Sequence, residues 1–85
     1  MKYLVETSFK LMPTPEMLAL IPAEMAHGKT LDDQGVRRWL LIAADQSKAW
    51  QLFNTPSVEA TQAIVASFPL HPYVNTQITA IADEM

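Results

Sequence analysis

The chain has 85 residues, enough for one small domain, and 49% of them are hydrophobic. Its net charge is −3 with no basic cluster, so we do not expect nucleic-acid binding. Cysteine is absent, which excludes disulfides and cysteine-based metal sites. No apolar run has the length of a membrane span, and Glu6 and Lys10 interrupt the first residues, which argues against a signal peptide. We therefore expect a single cytoplasmic domain over residues 1–85 that does not contact a membrane.

The first third of the chain predicts a strand followed by a helix. Residues 2–10 are rich in β-branched and aromatic side chains, as strands are. Thr14 is the predicted N-cap of the helix, Pro15 fits its first position, and Gly35 is the predicted C-cap. The predicted buried stripe consists of Met17, Leu20, Ile21, Gly28 and Leu31. Pro22 deletes one backbone hydrogen bond inside this stretch and predicts that the helix kinks or splits.

The middle of the chain predicts a hairpin. Residues 36–44 form the first strand, and its apolar residues do not alternate with polar ones. One side carries Trp39, Leu41 and Ala43, and the other carries Leu40, Ile42 and Ala44. We therefore expect both faces of this strand to be buried. A polar turn at 45–48 and a returning strand over 49–54 complete the hairpin.

The last third predicts a second helix and a final strand. Residues 55–57, Thr-Pro-Ser, are typical of a helix start. The predicted buried stripe of this helix consists of Val58, Thr61, Ile64, Val65 and Phe68. The helix must end near Ser67, because Pro69 disfavours the helical conformation just before it. Residues 73–81 alternate in polarity and predict the last strand.

The element order β-α-β-β-α-β predicts a ferredoxin-like α+β fold. Right-handed crossovers place both helices on one face of a four-stranded antiparallel sheet. The other face is bare in a monomer, although the strand at 36–44 is apolar on both sides. We therefore predict a homodimer, or a multiple of dimers, in which two sheets face each other as a dimeric α+β barrel around an interior cavity. The alternative is an ordinary solvated sheet face.

Glu24 is the first candidate for chemistry, because it lies within the apolar stripe of the first helix. A carboxylate in apolar surroundings has a raised pKa, which suits a general acid or base near neutral pH. The helix covers the sheet face opposite the barrel interior, so Glu24 meets a ligand only near an edge or in a pocket between helix and sheet. Gly28, one turn later, leaves space beside it. Alternatively, Glu24 turns to water at the Pro22 kink or pairs with an arginine.

His71 and Tyr73 are the next candidates, since Pro69 and Pro72 fix the backbone around them. The histidine would serve as an acid or base, and the tyrosine hydroxyl would bind a substrate carbonyl. Both are also compatible with packing or an exposed loop. His27 lies on the flank of the first helix and either contacts Glu24 and substrate or faces solvent. We expect no metal site and no cofactor.

Trp39 and Trp50 lie on neighbouring hairpin strands, where they would either line a flat ligand cavity or belong to the core. Arg37 and Arg38 are the only adjacent cations. We interpret them as a solvated strand edge or an interface pair rather than as an anion site.

The segment Phe68-Pro69-Leu70-His71-Pro72-Tyr73-Val74 resembles the end of the muconolactone isomerase family. That family has a Leu-Pro-Leu-Phe-Pro-Tyr-Met type segment there, so His71 replaces an aromatic residue. The resemblance extends from about residue 12. It aligns Glu24 with the family's acidic residue in the first helix and Gly35 with its helix-ending glycine. The family's Leu-Trp-Arg is replaced by Leu40-Leu41-Ile42, so an arginine that would hold an anionic lactone is absent there.

The resemblance implies a dimeric α+β barrel that shifts a C=C bond in a small unsaturated lactone or cyclic acid without a cofactor. Glu24 would shuttle the proton, His71 or Tyr73 would assist it, and the tryptophans would form walls. Two alternatives stay open. One is a cofactor-independent oxygenase acting on an aromatic or polyketide-like substrate. The other is a non-catalytic ligand-binding or assembly protein of the same fold.

Overall fold

A computed structural model describes residues 1–82 of the chain. The elements are β1 (Lys2–Phe9), α1 (Pro15–Leu18), α2 (Ile21–Asp33), β2 (Arg37–Ile42), β3 (Lys48–Asn54), α3 (Val58–Ala66), a 3₁₀ turn (His71–Tyr73) and β4 (Val74–Ile81). The strands form one sheet in the order β2-β3-β1-β4, with antiparallel neighbours throughout. This confirms the predicted ferredoxin-like arrangement, and most element ends lie within one or two residues of the predicted ones.

The predicted first helix is split into α1 and α2. The Thr14 hydroxyl accepts a hydrogen bond from the Met17 amide and caps α1, as predicted. Pro22 lies in the first turn of α2, where its missing N–H leaves no partner unsatisfied. The proline therefore starts a new helix rather than kinking a continuous one. Gly35 follows α2 with a φ of 73°, a conformation that favours glycine at a helix end.

The core lies between the sheet and the helices α2 and α3. Its central cluster consists of Val5, Leu31, Phe53, Val65 and Phe68. Strand register places Val5 of β1 between Gln51 and Ile78, so these side chains share the helix-covered face of the sheet. The Ser57 hydroxyl caps α3 by accepting a hydrogen bond from the Ala60 amide.

Within residues 1–82, neither α2 nor α3 covers the opposite face of the sheet. We call it the open face, defined by Leu4, Trp39, Leu41, Trp50 and Leu52. In the single chain Leu41 keeps 57% of its surface exposed. Leu40 and Ile42, on the helix side of β2, are exposed as well. The expected burial of both faces of β2 is therefore not met within one chain and remains a prediction for an assembly.

A β-bulge interrupts the pairing of β2 with β3. Arg37 lies opposite Phe53, whereas Trp39 lies opposite Leu52. Residues two apart normally share a face, but the extra residue at the bulge places Arg37 on the helix side and Trp39 on the open face.

Within residues 1–82, no helix is both long and apolar enough to cross a bilayer.

Candidate active site

A pocket of about 800 Å³ lies between α2 and the helix-covered face of the sheet. This volume is typical of sites for small molecules. Its apolar walls include Phe9, Ile21, Met25, Leu40, Ile42, Phe68, Leu70 and Val74. Its polar residues include Glu24, Lys29, Asp32, Arg37, Lys48 and Gln51. The sequence predicted that a residue of the first helix can meet a ligand either near an edge or in a pocket between helix and sheet. The structure contains such a pocket between helix and sheet.

Glu24 projects from α2 into this pocket and is half-buried. Its Oε1 accepts a hydrogen bond from the Leu70 amide at 3.0 Å, which ties α2 to the segment before the 3₁₀ turn. Burial raises the pKa of Glu24 above its ordinary value. The Leu70 amide and the charges of His27 and Arg37 lower this pKa and offset part of that effect. The carboxyl group is thus suited to take up and release a proton.

Arg37 forms the wall of the pocket beside α2, with its side chain only 10% exposed. Its Nε and Nη2 donate to the two carboxylate oxygens of Asp32 at 2.7 and 2.9 Å. Its Nη1 donates to Oε1 of Gln51 at 2.9 Å. A guanidinium has five N–H groups, so these bonds leave one on each Nη atom to bind a ligand. The hydrogen bond from Arg37 also lowers the pKa of Asp32, which keeps the pair charged.

Gly28 makes room for the Arg37 guanidinium against α2. A Cβ at position 28 would lie 2.7 Å from Nη1, 2.8 Å from Nη2 and 2.9 Å from Cζ of Arg37. These distances are shorter than any van der Waals contact allows, so a side chain there would displace the guanidinium. The sequence predicted free space beside Glu24 at this glycine, and the structure fills that space with Arg37.

The interpretation of Arg37 as a solvated strand edge or an interface residue is therefore wrong. Plain alternation would place it with Trp39 on the open face. The bulge turns it under α2 instead, where Asp32 and Gln51 hold it. No residue pattern in this sequence predicts the bulge. The sequence feature that did indicate space beside Glu24 was Gly28, one turn later.

A profile of the muconolactone delta-isomerase family matches residues 1–84. The chain belongs to this family. A crystal structure of muconolactone isomerase is similar to it, with a TM-score of 0.84, 25% identity, and coverage of 99% of this chain and 91% of that one. A comparison with curated proteins gives no match.

Two further solved structures share the fold of this family member. One is a 5-chloro-2-hydroxyhydroquinone dehydrochlorinase from Burkholderia phenoliruptrix AC1100 in complex with 2,5-dihydroxybenzoquinone, with a TM-score of 0.69, 12% identity, and coverage of 99% of this chain and 96% of that one. The other is Rv0793 from Mycobacterium tuberculosis, with a TM-score of 0.58, 20% identity, and coverage of 99% and 98%. At these identities the likeness concerns the fold alone. The family match, together with the similarity to the muconolactone isomerase structure, supports a fold used by small-molecule catabolic enzymes.

His71 does not line the main pocket. It shares with Glu24 a second recess of about 20 Å³, which Thr7, Gln51 and Thr76 also line. The His71 ring is half-buried, and its Nδ1 is buried with no hydrogen-bond partner among the described residues. Tyr73, at the end of the same 3₁₀ turn, is 38% exposed and lines neither cavity.

The other predicted residues lie outside the pocket. The Nε2 of His27 is 2.7 Å from Oγ of Ser67, and its ring packs edge-on against Phe68. Trp39 and Trp50 lie across the sheet from Glu24, on the open face. Trp50 donates from Nε1 to the Glu6 carboxylate at 3.0 Å. Among residues 1–82, no three His, Cys, Asp or Glu side chains are grouped as a metal site would require.

Proposed function

We propose that the protein is a cofactor-free isomerase that shifts a C=C bond in a small unsaturated lactone or cyclic acid. The observation that carries the proposal is the half-buried Glu24 carboxylate in a pocket between α2 and the sheet, with Arg37 in the same wall. The family match supports this class of chemistry. Under this proposal the protein acts in the catabolism of aromatic compounds. Its cytoplasmic location stays a prediction.

Glu24 acts as a base and then as an acid in the proposed reaction. Its carboxylate removes a proton from a carbon next to the conjugated lactone, so that a C–H bond breaks and the double bond moves. The carboxylic acid then returns a proton to another carbon, which restores the carboxylate and leaves the atoms balanced. The apolar walls exclude water and strengthen the few polar contacts around the reacting atoms.

Arg37 binds the negative charge of the substrate in this scheme. Its two remaining N–H groups, one on each Nη, can bind a carboxylate or the oxygen on which charge develops. Because Asp32 and Gln51 fix the guanidinium, it needs no rearrangement when the substrate arrives. Arg37 thereby replaces the family arginine that is missing at Ile42.

The lining of the pocket favours this reaction over the two alternatives. Side chains do not fill the pocket, which argues against a pure assembly protein. Its aromatic residues are Phe9 and Phe68, while both tryptophans lie on the open face, so it is not the aromatic-lined cavity expected of an oxygenase. Tyr73, His27 and the tryptophans remain predicted contributors, and Tyr73 and the tryptophans would need an assembly to reach a substrate.

The protein is further expected to form a homodimer, or a multiple of dimers, through the open face. Leu41 is 57% exposed there, beside the partly exposed rings of Trp39 and Trp50. Exposed apolar surface of this kind is typical of an interface. A second copy of the same sheet would cover it and close the predicted barrel.

Proton NMR of muconolactone in deuterated water tests the proposed function. We expect the protein to convert muconolactone to the enol-lactone, with the conversion visible as the loss of the muconolactone signals. Glu59→Gln is a suitable control, because Glu59 is an exposed carboxylate in the first turn of α3, and it should react like wild type. A spectrum that shows neither conversion nor deuterium exchange would refute the proposal for this substrate.

The rate is expected to rise with pH at the acid end of the profile. Glu24 must be deprotonated to act as the base, and burial raises its pKa above the ordinary value of 4.5. The acid limb of kcat/KM for muconolactone should therefore have its midpoint above 4.5. Rates measured from about pH 4 to about pH 8 check this, with circular dichroism showing that the fold persists. A midpoint at or below the ordinary value would contradict a buried base.

A further inference from the structure

Glu24 lines two cavities. One is the pocket of about 800 Å³ proposed to hold the substrate, and the other is the recess of about 20 Å³. The recess has room for a single water molecule. A bound water also needs two to four polar partners, and Thr7, Gln51, His71 and Thr76 line the recess together with Glu24.

His71 supplies the strongest sign of a ligand in this recess. Its Nδ1 is buried and unpartnered among the described residues. Leaving a buried polar atom without a partner costs about 1–3 kcal/mol, so native structures usually satisfy it with protein or ordered water. Glu24 has a free oxygen as well, because Leu70 binds only Oε1 and no described residue binds Oε2. Gln51 contributes an NH₂ group, since Arg37 occupies its oxygen.

We infer that one water in this recess bridges Nδ1 of His71 and the Glu24 carboxylate, and that Glu24 exchanges its proton with solvent through it. This role of His71 rests on the proposed function. Either tautomer of His71 permits the bridge, because water both donates and accepts hydrogen bonds. His71 is half-buried, so part of the residue reaches solvent. His71 is then a positioning and relay residue that does not touch the substrate.

The relay determines which hydrogen the product receives. When Glu24 holds the proton taken from the substrate, the bridging water can replace it with a solvent proton before it is returned. Without the relay, the same proton returns to the substrate with less exchange, because the bound substrate occupies the main pocket beside Glu24. The two cases give the same product with different isotopic content in deuterated water.

The experiment compares wild type with His71→Phe during muconolactone conversion in deuterated water. Phenylalanine restores an aromatic residue at this position and removes Nδ1. We expect wild-type product to carry solvent deuterium, and the His71→Phe product to carry at least about threefold less while its conversion rate falls by less than that factor. Glu59→Gln is the control, because Glu59 is an exposed residue of α3 that lines neither cavity. Its product should match wild type.

Each outcome decides between the relay and the proposed function. Conversion by wild type without deuterium incorporation, or equal incorporation by His71→Phe, would refute the relay and leave the isomerase proposal standing. An absence of conversion would refute both the isomerase proposal for this substrate and the exchange role. A high-resolution crystal structure tests the bridge itself without turnover. It should show one water within about 3.2 Å of both Nδ1 and a Glu24 oxygen, and a recess without such a water would overturn the bridge.

Discussion

Replacing Glu24 by glutamine is expected to lower kcat for lactone isomerisation by about 10²–10⁴-fold, the usual contribution of a positioned general base. The amide cannot accept and return a proton, but its oxygen can still accept the hydrogen bond from the Leu70 amide at 3.0 Å. The pocket should therefore keep its shape. Stopped-flow or NMR rates under saturating substrate measure the effect, and Glu59→Gln serves as the carboxylate-to-amide control.

The stability of the same variant separates a lost base from a damaged fold. Because burial raises the folded-state pKa of Glu24 above 4.5, the folded state holds this proton more tightly than the unfolded chain does. That stabilising contribution is complete below pH 4.5 and is lost as pH rises through the folded pKa. Glutamine carries no titrating proton, so the Glu24→Gln variant does not lose stability in this way as pH rises. At neutral pH its free energy of unfolding in urea should therefore be at least as large as that of wild type. A variant that is both inactive and clearly less stable would not support a catalytic role.

The positions of the elements could be predicted because their signals are local. Thr14 and Ser57 cap helices through their own hydroxyls, and Pro22 cannot sit inside a helix without breaking it. The half-buried position of Glu24 followed from helical spacing along one apolar stripe. Gly35 adopts the positive φ that a helix end favours for glycine. In each case a few neighbouring residues determine the outcome, so the sequence alone is sufficient.

The composition of the pocket could not be predicted in the same way, because it depends on register between strands. One extra residue in β2 moves Arg37 across the sheet, and no local pattern announces that bulge. The unpartnered Nδ1 of His71 likewise depends on how the 3₁₀ turn packs against β1, β3 and α2. Strand alternation correctly placed Trp39 and Leu41 on the same face of the sheet. Whether a ligand reaches that open face depends on an assembly of several chains.

Removing the Arg37 guanidinium is expected to raise KM for a carboxylate-bearing lactone by about 10–10²-fold, since hydrogen bonds to charged groups contribute about 1.5–3 kcal/mol each. The effect on kcat should be smaller if the carboxylate is bound equally in the ground and transition states. Arg37→Gln is the test variant. Arg38→Gln is the matched control, because it removes the same charge from the neighbouring, exposed residue that does not line the pocket. Equal KM values in both variants would contradict anion binding by Arg37.

Gly28→Ala tests whether the position of the guanidinium matters as well as its charge. The new Cβ would lie 2.7–2.9 Å from three guanidinium atoms, and the flexible end of Arg37 must move away. Alanine favours the helix by about 1 kcal/mol over glycine, which offsets the weakened contact with Asp32. The free energy of unfolding should therefore change by less than about 1 kcal/mol, while KM rises in the same direction as in Arg37→Gln. An unchanged KM would show that substrate binding does not depend on a guanidinium held against α2, although the arginine itself would still be present.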